Sequence, residues 1–183
     1  MLEKARNYET EKQVYVKKTT KPLFHVTAPT GWINDPNGFS VYDGKIHLFY
    51  QYNPYQREWG PMHWGHSVTD DMVRWEQLPA AIAPDQEYDK AGCFSGSAIE
   101  EDGKMQLYYT GVNYLTENPE DINLCVDEHF VSAQLMITSE DGIHFDNIKD
   151  KKTVIPVIHD ADIGDARHTL SLIHISEPTR RTP

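Results

Sequence analysis

The sequence predicts an all-β fold of repeated antiparallel units, stacked as β-propeller blades, and three observations carry that reading. The first is a hairpin that occurs twice. Val41-Tyr42-Asp43-Gly44-Lys45-Ile46 runs on into His47-Leu48-Phe49-Tyr50-Gln51-Tyr52, and Ile99-Glu100-Glu101-Asp102-Gly103-Lys104 runs on into Met105-Gln106-Leu107-Tyr108-Tyr109-Thr110, 59 positions later. Each has an Asp-Gly pair between two runs rich in branched and aromatic residues. The second is a strand, an acidic turn and an aromatic: Val68-Thr69-Asp70-Asp71-Met72-Val73-Arg74-Trp75, then Ile137-Thr138-Ser139-Glu140-Asp141-Gly142-Ile143-His144-Phe145, with Trp75 and Phe145 70 positions apart. The third is scale, because units of roughly 50 to 70 residues built from short antiparallel strands match blades of about four strands each.

Taken in order, residues 1–20 are charged and mixed and read as a helix or frayed arm, ending near Lys17-Lys18-Thr19-Thr20-Lys21-Pro22. Little function is expected there. Gly31-Trp32-Ile33-Asn34-Asp35-Pro36-Asn37-Gly38 reads as a turn. Pro36 locks its own φ and biases Asp35 away from helical backbone, while Asn37-Gly38 tolerates positive φ. From Ser40 the pattern turns to strands. About two to three blades fit this length, and closure of the ring is what protects propeller edges. An open partial propeller exposes them, so the chain reads as the N-terminal blades of a larger, truncated whole.

Composition bounds the partners. With 28 acidic against 17 basic residues the net charge is −11, which argues against nucleic acid or an anionic membrane surface. The start, Met1-Leu2-Glu3-Lys4-Ala5-Arg6, has no apolar core of the signal-peptide kind, and no run approaches membrane-spanning length. A cytoplasmic location is expected. Cys93 and Cys125 have neither metal-site spacing nor a disulfide framework, which suits a reducing compartment, and both are expected to be buried thiols.

The chemistry concentrates in the Gly31–Gly38 stretch. Asp35 is a carboxylate held by backbone stereochemistry, Asn34 offers a donor and an acceptor to hydroxyls, and Trp32 supplies a flat apolar face of the kind that stacks on sugar rings. The same string also reads as an Asx turn that merely reverses the chain, with Trp32 in the core. His63 and His66 raise a metal reading, but no third ligand stands at recognisable spacing, so no metal and no cofactor is expected. Gly92-Cys93-Phe94-Ser95-Gly96-Ser97 is glycine-spaced like a phosphate loop yet lacks the lysine and the strand-to-helix setting. Asp70-Asp71 and Glu100-Glu101-Asp102 read as solvated charge at hairpin turns rather than as an acid/base pair.

The full string Trp32-Ile33-Asn34-Asp35-Pro36-Asn37-Gly38 resembles the signature of glycoside hydrolase family 32, the β-fructofuranosidases. Pro22-Leu23-Phe24-His25, Gln51-Tyr52-Asn53-Pro54, Trp59-Gly60, His63-Trp64-Gly65-His66-Ser67 and Phe94-Ser95-Gly96-Ser97 resemble its other motifs, in order, and the likeness runs from about Lys21 to Thr169. The resemblance implies a five-bladed propeller followed by a β-sandwich, here absent. It implies retaining cleavage of a β-fructofuranosyl bond in sucrose, sucrose 6-phosphate or a short fructan, with Asp35 as nucleophile and Trp32, Asn34, Gln51, Trp59, Phe94 and Ser95 around the sugar. A nucleophile of this kind must be ionised at neutral pH.

The pattern departs from the family after Thr169. An Arg-Asp-Pro motif is expected there, and Leu170-Ser171-Leu172 stands instead. Residues 170–183, including Ile173-His174-Ile175-Ser176-Glu177-Pro178-Thr179-Arg180, look like a translated sequencing adapter and are set aside from fold reasoning. The domains are therefore expected as an arm (1–20), a partial propeller (21–169) and an artefactual tail. The transition-state-stabilising aspartate, the acid/base glutamate and most groups that would hold a phosphate are expected beyond Thr169, so this chain alone is expected to be inactive. Two alternatives remain: a non-catalytic fructan-binding propeller, and a related five-bladed glycosidase acting on pentose polymers.

Overall fold

The computed structural model describes residues 1–17, 19, 21–121, 125–126, 130–146 and 148–157. The tail expected at 170–183, like the segment around Arg167 and Thr169, lies outside them. A helix, α1 (Leu2–Lys12), comes first. The strands follow as β1 (Trp32–Tyr42), β2 (Lys45–Asn53), β3 (His63–Thr69), β4 (Glu76–Ile82), β5 (Gly92–Glu101), β6 (Lys104–Tyr114), β7 (Phe130–Ser139) and β8 (Lys152–Ile155). They form two four-stranded antiparallel sheets in chain order, β1-β2-β3-β4 and β5-β6-β7-β8. Each sheet is one blade, as the repeats predict.

Local chemistry explains why the chain turns where it does. Asp43 and Gly44 have φ of 47° and 75°, and Asp102 and Gly103 have 52° and 71°. Both hairpins therefore use the turn with two positive φ values, whose twist matches that of the flanking strands. The acidic turns are also alike in detail. Asp71 Oδ1 accepts from the backbone of Val73 and Arg74, as Asp141 Oδ1 does from Ile143 and His144, while Thr69 and Ser139 hydroxyls bond to those same carboxylates. The repeat lengthens from 59 to 70 positions because the β6–β7 connector, 115–129, is six residues longer than the β2–β3 connector, 54–62, and β6 and β7 are two and three residues longer than β2 and β3.

One expectation is corrected. The Gly31–Gly38 stretch is not a turn: from Trp32 onward it belongs to β1, which pairs with β2 from Trp32↔Asn53 to Tyr42↔Lys45 with two register shifts. Asn34 and Asp35 together oppose Gln51, and Gly38 and Phe39 together oppose Leu48. These are β-bulges. Pro36 is tolerated because β1 is an edge strand of its sheet.

The blades stack face to face over one core. Phe49, Trp64 and Ile82 of the first meet Leu107, Tyr109, Leu135 and Ile137 of the second, with Tyr42 and Phe145 closing one end. Each such side chain contributes on the order of 1.5–3 kcal/mol on burial. The opposite face of the first blade, with Tyr50 and Tyr52, is covered by α1 through Ala5. Arg6 Nε donates to the Ala80 carbonyl at 2.9 Å and Glu9 accepts from the Ala80 amide at 3.2 Å, so α1 satisfies the exposed side of β4 at that residue. Among the described residues no helix is long and apolar enough to cross a membrane.

Candidate functional site

β1 and β5 are the strands through which the two blades approach each other, and each is bulged at a residue the sequence singled out. In β5 the register passes from Phe94↔Thr110 to Gly96↔Tyr109, leaving Ser95 unopposed. A side chain on Gly96 would overlap the Tyr108 carbonyl oxygen, so the bulge requires glycine there. A bulge re-aims its side chain without loosening the pairing on either side. The two bulges are joined: Ser95 Oγ donates to Asp35 Oδ2 at 2.9 Å, across 60 positions of sequence. One step along, the Gly96 amide donates to Asn37 Oδ1 at 3.2 Å.

The remaining expected residues fall into two groups. Trp32 Nε1 donates to Asn34 Oδ1 at 2.9 Å, which fixes the indole beside the amide and leaves the Asn34 NH₂ as a donor. Trp32 is 37% exposed, so its ring is not a core residue. Trp59, in the β2–β3 connector, meets Phe94 edge to face with centroids 5.8 Å apart. Gln51 is buried, and its Nε2 donates to the Cys93 carbonyl at 2.9 Å, while the Cys93 amide donates to Met62 O at 2.8 Å. Trp64 Nε1 donates to Phe94 O at 3.2 Å. Gln51 and Trp64 thus hold the backbone that presents Phe94 and Ser95.

The histidines of β3 do other work. Three residues apart on a strand, His63 and His66 face opposite sides of the sheet. His66 stacks on Phe49 at 4.1 Å and bonds to His47 Nδ1 at 3.0 Å, and burial drives its pKa well below the ordinary value. His63 bonds to the Pro61 carbonyl, and burial pushes its pKa down to about 4. Both are neutral packing groups at pH 7. Cys93 is fully buried and its thiol is pushed well up, first by burial, so it is no nucleophile at neutral pH.

Two groups of residues escaped the sequence reading. Asn37 was read only as turn chemistry. Lys151, Asp85 and Asp89 form a buried cluster: Lys151 Nζ lies 2.7 Å from Asp85 Oδ1 and 2.8 Å from Asp89 Oδ2, and Tyr109 donates to Asp89 Oδ2 at 2.7 Å. Asp85 and Asp89 stand four apart in the link between blades, a spacing that signals nothing unless the lysine beyond position 150 is known to return to it.

Two sequential four-stranded antiparallel blades, whose inner strands meet at the Ser95–Asp35 hydrogen bond, define the opening of a β-propeller. The chain belongs to the glycosyl hydrolases family 32, whose N-terminal domain matches residues 25–168. It is 45% identical over 128 residues to a sucrose-6-phosphate hydrolase of Escherichia coli, which covers 70% of this chain and 26% of that protein. A sucrose-6-phosphate hydrolase of Zymomonas mobilis is 50% identical over 125 residues, 68% of this chain and 23% of its own length. Among solved structures, a Bombyx mori family 32 β-fructofuranosidase superposes with a TM-score of 0.67 at 35% identity, covering 83% of this chain and 29% of that one. The chain thus spans about a quarter of the length of the curated relatives it matches.

Proposed function

We propose that this chain carries the nucleophile half of a retaining β-fructofuranosidase active in the cytoplasm on sucrose or sucrose 6-phosphate. The observation that carries the reading is the Ser95–Asp35 hydrogen bond, which sets one carboxylate at the meeting of two bulges beside Trp32, Asn34, Trp59 and Phe94. Asp35 attacks the anomeric carbon of the fructosyl unit, the bond to the leaving oxygen breaks, and a fructosyl-enzyme ester forms; water then resolves it with net retention. Ser95 supports the carboxylate's charge through its hydroxyl. Trp32, Asn34, Trp59 and Phe94 supply the sugar-binding walls, and Gln51, buried against the Cys93 carbonyl, positions the strand behind them. Leaving-group protonation needs a second carboxyl about 5–5.5 Å away in a retaining enzyme. We assign that group, and a further aspartate, to sequence downstream of Thr169, in a full-length protein whose first blades are residues 21–169. Two free thiols, Cys93 and Cys125, fit a reducing compartment.

The test uses the full-length protein, meaning this chain with its natural downstream sequence restored. Asp35→Asn should lower kcat on both sugars by at least roughly 10³-fold, equivalent to about 4 kcal/mol of transition-state stabilisation. Residues 1–183 alone should show no turnover, since an unassisted leaving group forfeits on the order of 10²- to 10⁴-fold from general acid catalysis. Undiminished turnover by Asp35→Asn removes Asp35 from the mechanism.

A further inference from the structure

Phe94 and Ser95 stand on a strand braced by Gln51 and Trp64, but Trp59 stands on irregular backbone. Residues 54–61 form neither helix nor strand, and Gln56, Arg57 and Glu58, just before Trp59, are exposed. A ring on such a segment serves a binding wall only if the segment is ordered beforehand, because ordering it on binding costs affinity.

Asn53, the last residue of β2 and 1% exposed, supplies that order. Its Oδ1 accepts from the Tyr55 amide at 3.2 Å, an Asx turn, and its Nδ2 donates to the Glu58 carbonyl at 3.0 Å. A backbone amide only donates and a carbonyl only accepts, so these two contacts fix which end of the carboxamide is which. Aspartate has the same size but lacks the donor. The carboxamide therefore spans the segment and holds the peptide that leads directly into Trp59.

The anchor is itself fixed. Asn53 is the ladder partner of Trp32, and Gly31, at φ 63°, approaches so closely that a side chain there would overlap the Asn53 carbonyl oxygen. Thr30 Oγ1 donates to the Pro54 carbonyl at 3.0 Å, and from α1 the Tyr8 hydroxyl donates to the Tyr55 carbonyl at 3.3 Å. On the far side Trp59 meets Phe94 edge to face at 5.8 Å, and the next residue, Ser95, donates to Asp35 Oδ2 at 2.9 Å. An unbroken set of contacts runs from Asn53 to the carboxylate.

We propose that Asn53 is a positioning residue that presents Trp59 to the fructosyl pocket. The proposal rests on the hydrolase reading above and adds to it a residue that acts through Trp59 rather than on the sugar. Buried and bonded at both ends of its carboxamide, Asn53 fixes the backbone on which the indole stands.

Steady-state kinetics on sucrose, with the full-length protein, Asn53→Asp, Trp59→Ala and the double variant, test it. Asn53→Asp keeps the Asx turn and removes only the donor to Glu58. It should lower kcat/KM by roughly tenfold, the scale of one lost buried hydrogen bond, with most of the change in KM. In the Trp59→Ala background the same substitution should cost less than about twofold, because residues that act as a unit are not additive. Asn53→Ala, which removes both bonds, should cost more than Asn53→Asp. Wild-type kinetics for Asn53→Asp overturn the proposal, as does an equal loss with and without Trp59, which marks a general structural role. Fluorotryptophan incorporation gives a readout independent of turnover. The fluorine resonance that Trp59→Phe removes should shift or broaden in Asn53→Asp while that of Trp75 holds, and an unmoved Trp59 resonance overturns the proposal. The two readings fail separately: a full-length protein that cleaves neither sucrose nor sucrose 6-phosphate overturns the hydrolase, and the fluorine spectra still decide whether Asn53 positions Trp59.

Discussion

Replacing Lys151 by Met tests how the link between the blades is held. The Lys151 side chain is 4% exposed, and its ammonium donates to Ala83 O at 2.6 Å, Asp85 Oδ1 at 2.7 Å and Asp89 Oδ2 at 2.8 Å. Asp89 is 0% exposed and also takes the Tyr109 hydroxyl and the Gln86 amide, each at 2.7 Å. Burial alone would lower the lysine pKa, but the acidic groups around it, Asp89 and Asp85 among them, outweigh that and hold it above the ordinary value. A cation whose folded pKa is raised contributes stability that is fully present below its unfolded pKa of about 10.4 and is lost as pH rises through the folded value. Its contribution is therefore the same at pH 7 and pH 9. Methionine keeps most of the apolar stem but leaves buried carboxylates without their cation, which costs about 3–5 kcal/mol. For a unit of this size that corresponds to roughly 10 °C of melting temperature. Thermal and urea unfolding of the full-length protein, Lys151→Met, Asp89→Asn and the double variant should show equal losses at pH 7 and 9. The double variant should lose less than the sum of the singles, by about 1 kcal/mol or more. A loss under about 1 kcal/mol for Lys151→Met, or strict additivity, refutes the network as a single unit.

Two further predictions concern Gly96 and His63. Gly96→Ala drives a Cβ into the Tyr108 carbonyl oxygen, backbone that cannot withdraw without breaking the β5–β6 pairing; destabilisation of at least about 1–3 kcal/mol is expected, together with loss of turnover, and wild-type melting would refute the bulge geometry. His63 is held neutral by burial with a pKa of about 4, so the unfolded chain binds its proton more readily; stability is undiminished above about pH 6.5 and falls as pH drops toward 4, by on the order of 3 kcal/mol. His63→Gln should flatten the urea midpoint between pH 7 and 4.5, and an unchanged slope counts against it.

The fold was legible where local stereochemistry dictates it. Asp43-Gly44 and Asp102-Gly103 can satisfy two positive φ values with little penalty, so the hairpins and their repeat stand in the sequence itself. The Asp71 and Asp141 turns are local in the same sense, each carboxylate capping amides two and three residues on. Gly31–Gly38 misled because bulges on an edge strand draw on the same residues as turns: proline without an N–H, and Asn, Asp and Gly with unusual backbone. α1 presents only Ala5 and Glu9 as fully buried residues, so no apolar stripe announces what it covers. Lys151 meets Asp85 and Asp89 across 66 and 62 positions, and no local pattern encodes that meeting.

The site shows why such a centre is hard to read from spacing and yet rigid once folded. Asp35 comes from one blade, Ser95 and Phe94 from the next, and Trp59 from the connector between β2 and β3, so no single blade contains it. Asn34, Asp35 and Ser95 occupy the few positions where the inner strands are unpaired, while normal pairing resumes at once on both sides, at Ile33↔Tyr52 and Pro36↔Tyr50 in one sheet and at Phe94↔Thr110 and Gly96↔Tyr109 in the other. The ladder fixes the backbone; the bulge frees the side chain from the alternation that would bury it or turn it to solvent. What sets the distance between the two bulges is the contact of the blades themselves: the Asn37–Gly96 bond beside the site, the Gln51–Cys93 and Trp64–Phe94 bonds behind it, and the Phe49–Trp64 core beneath. Geometry at Asp35 is therefore a property of interblade packing, and substitutions that shift one blade against the other act on its carboxylate without touching it.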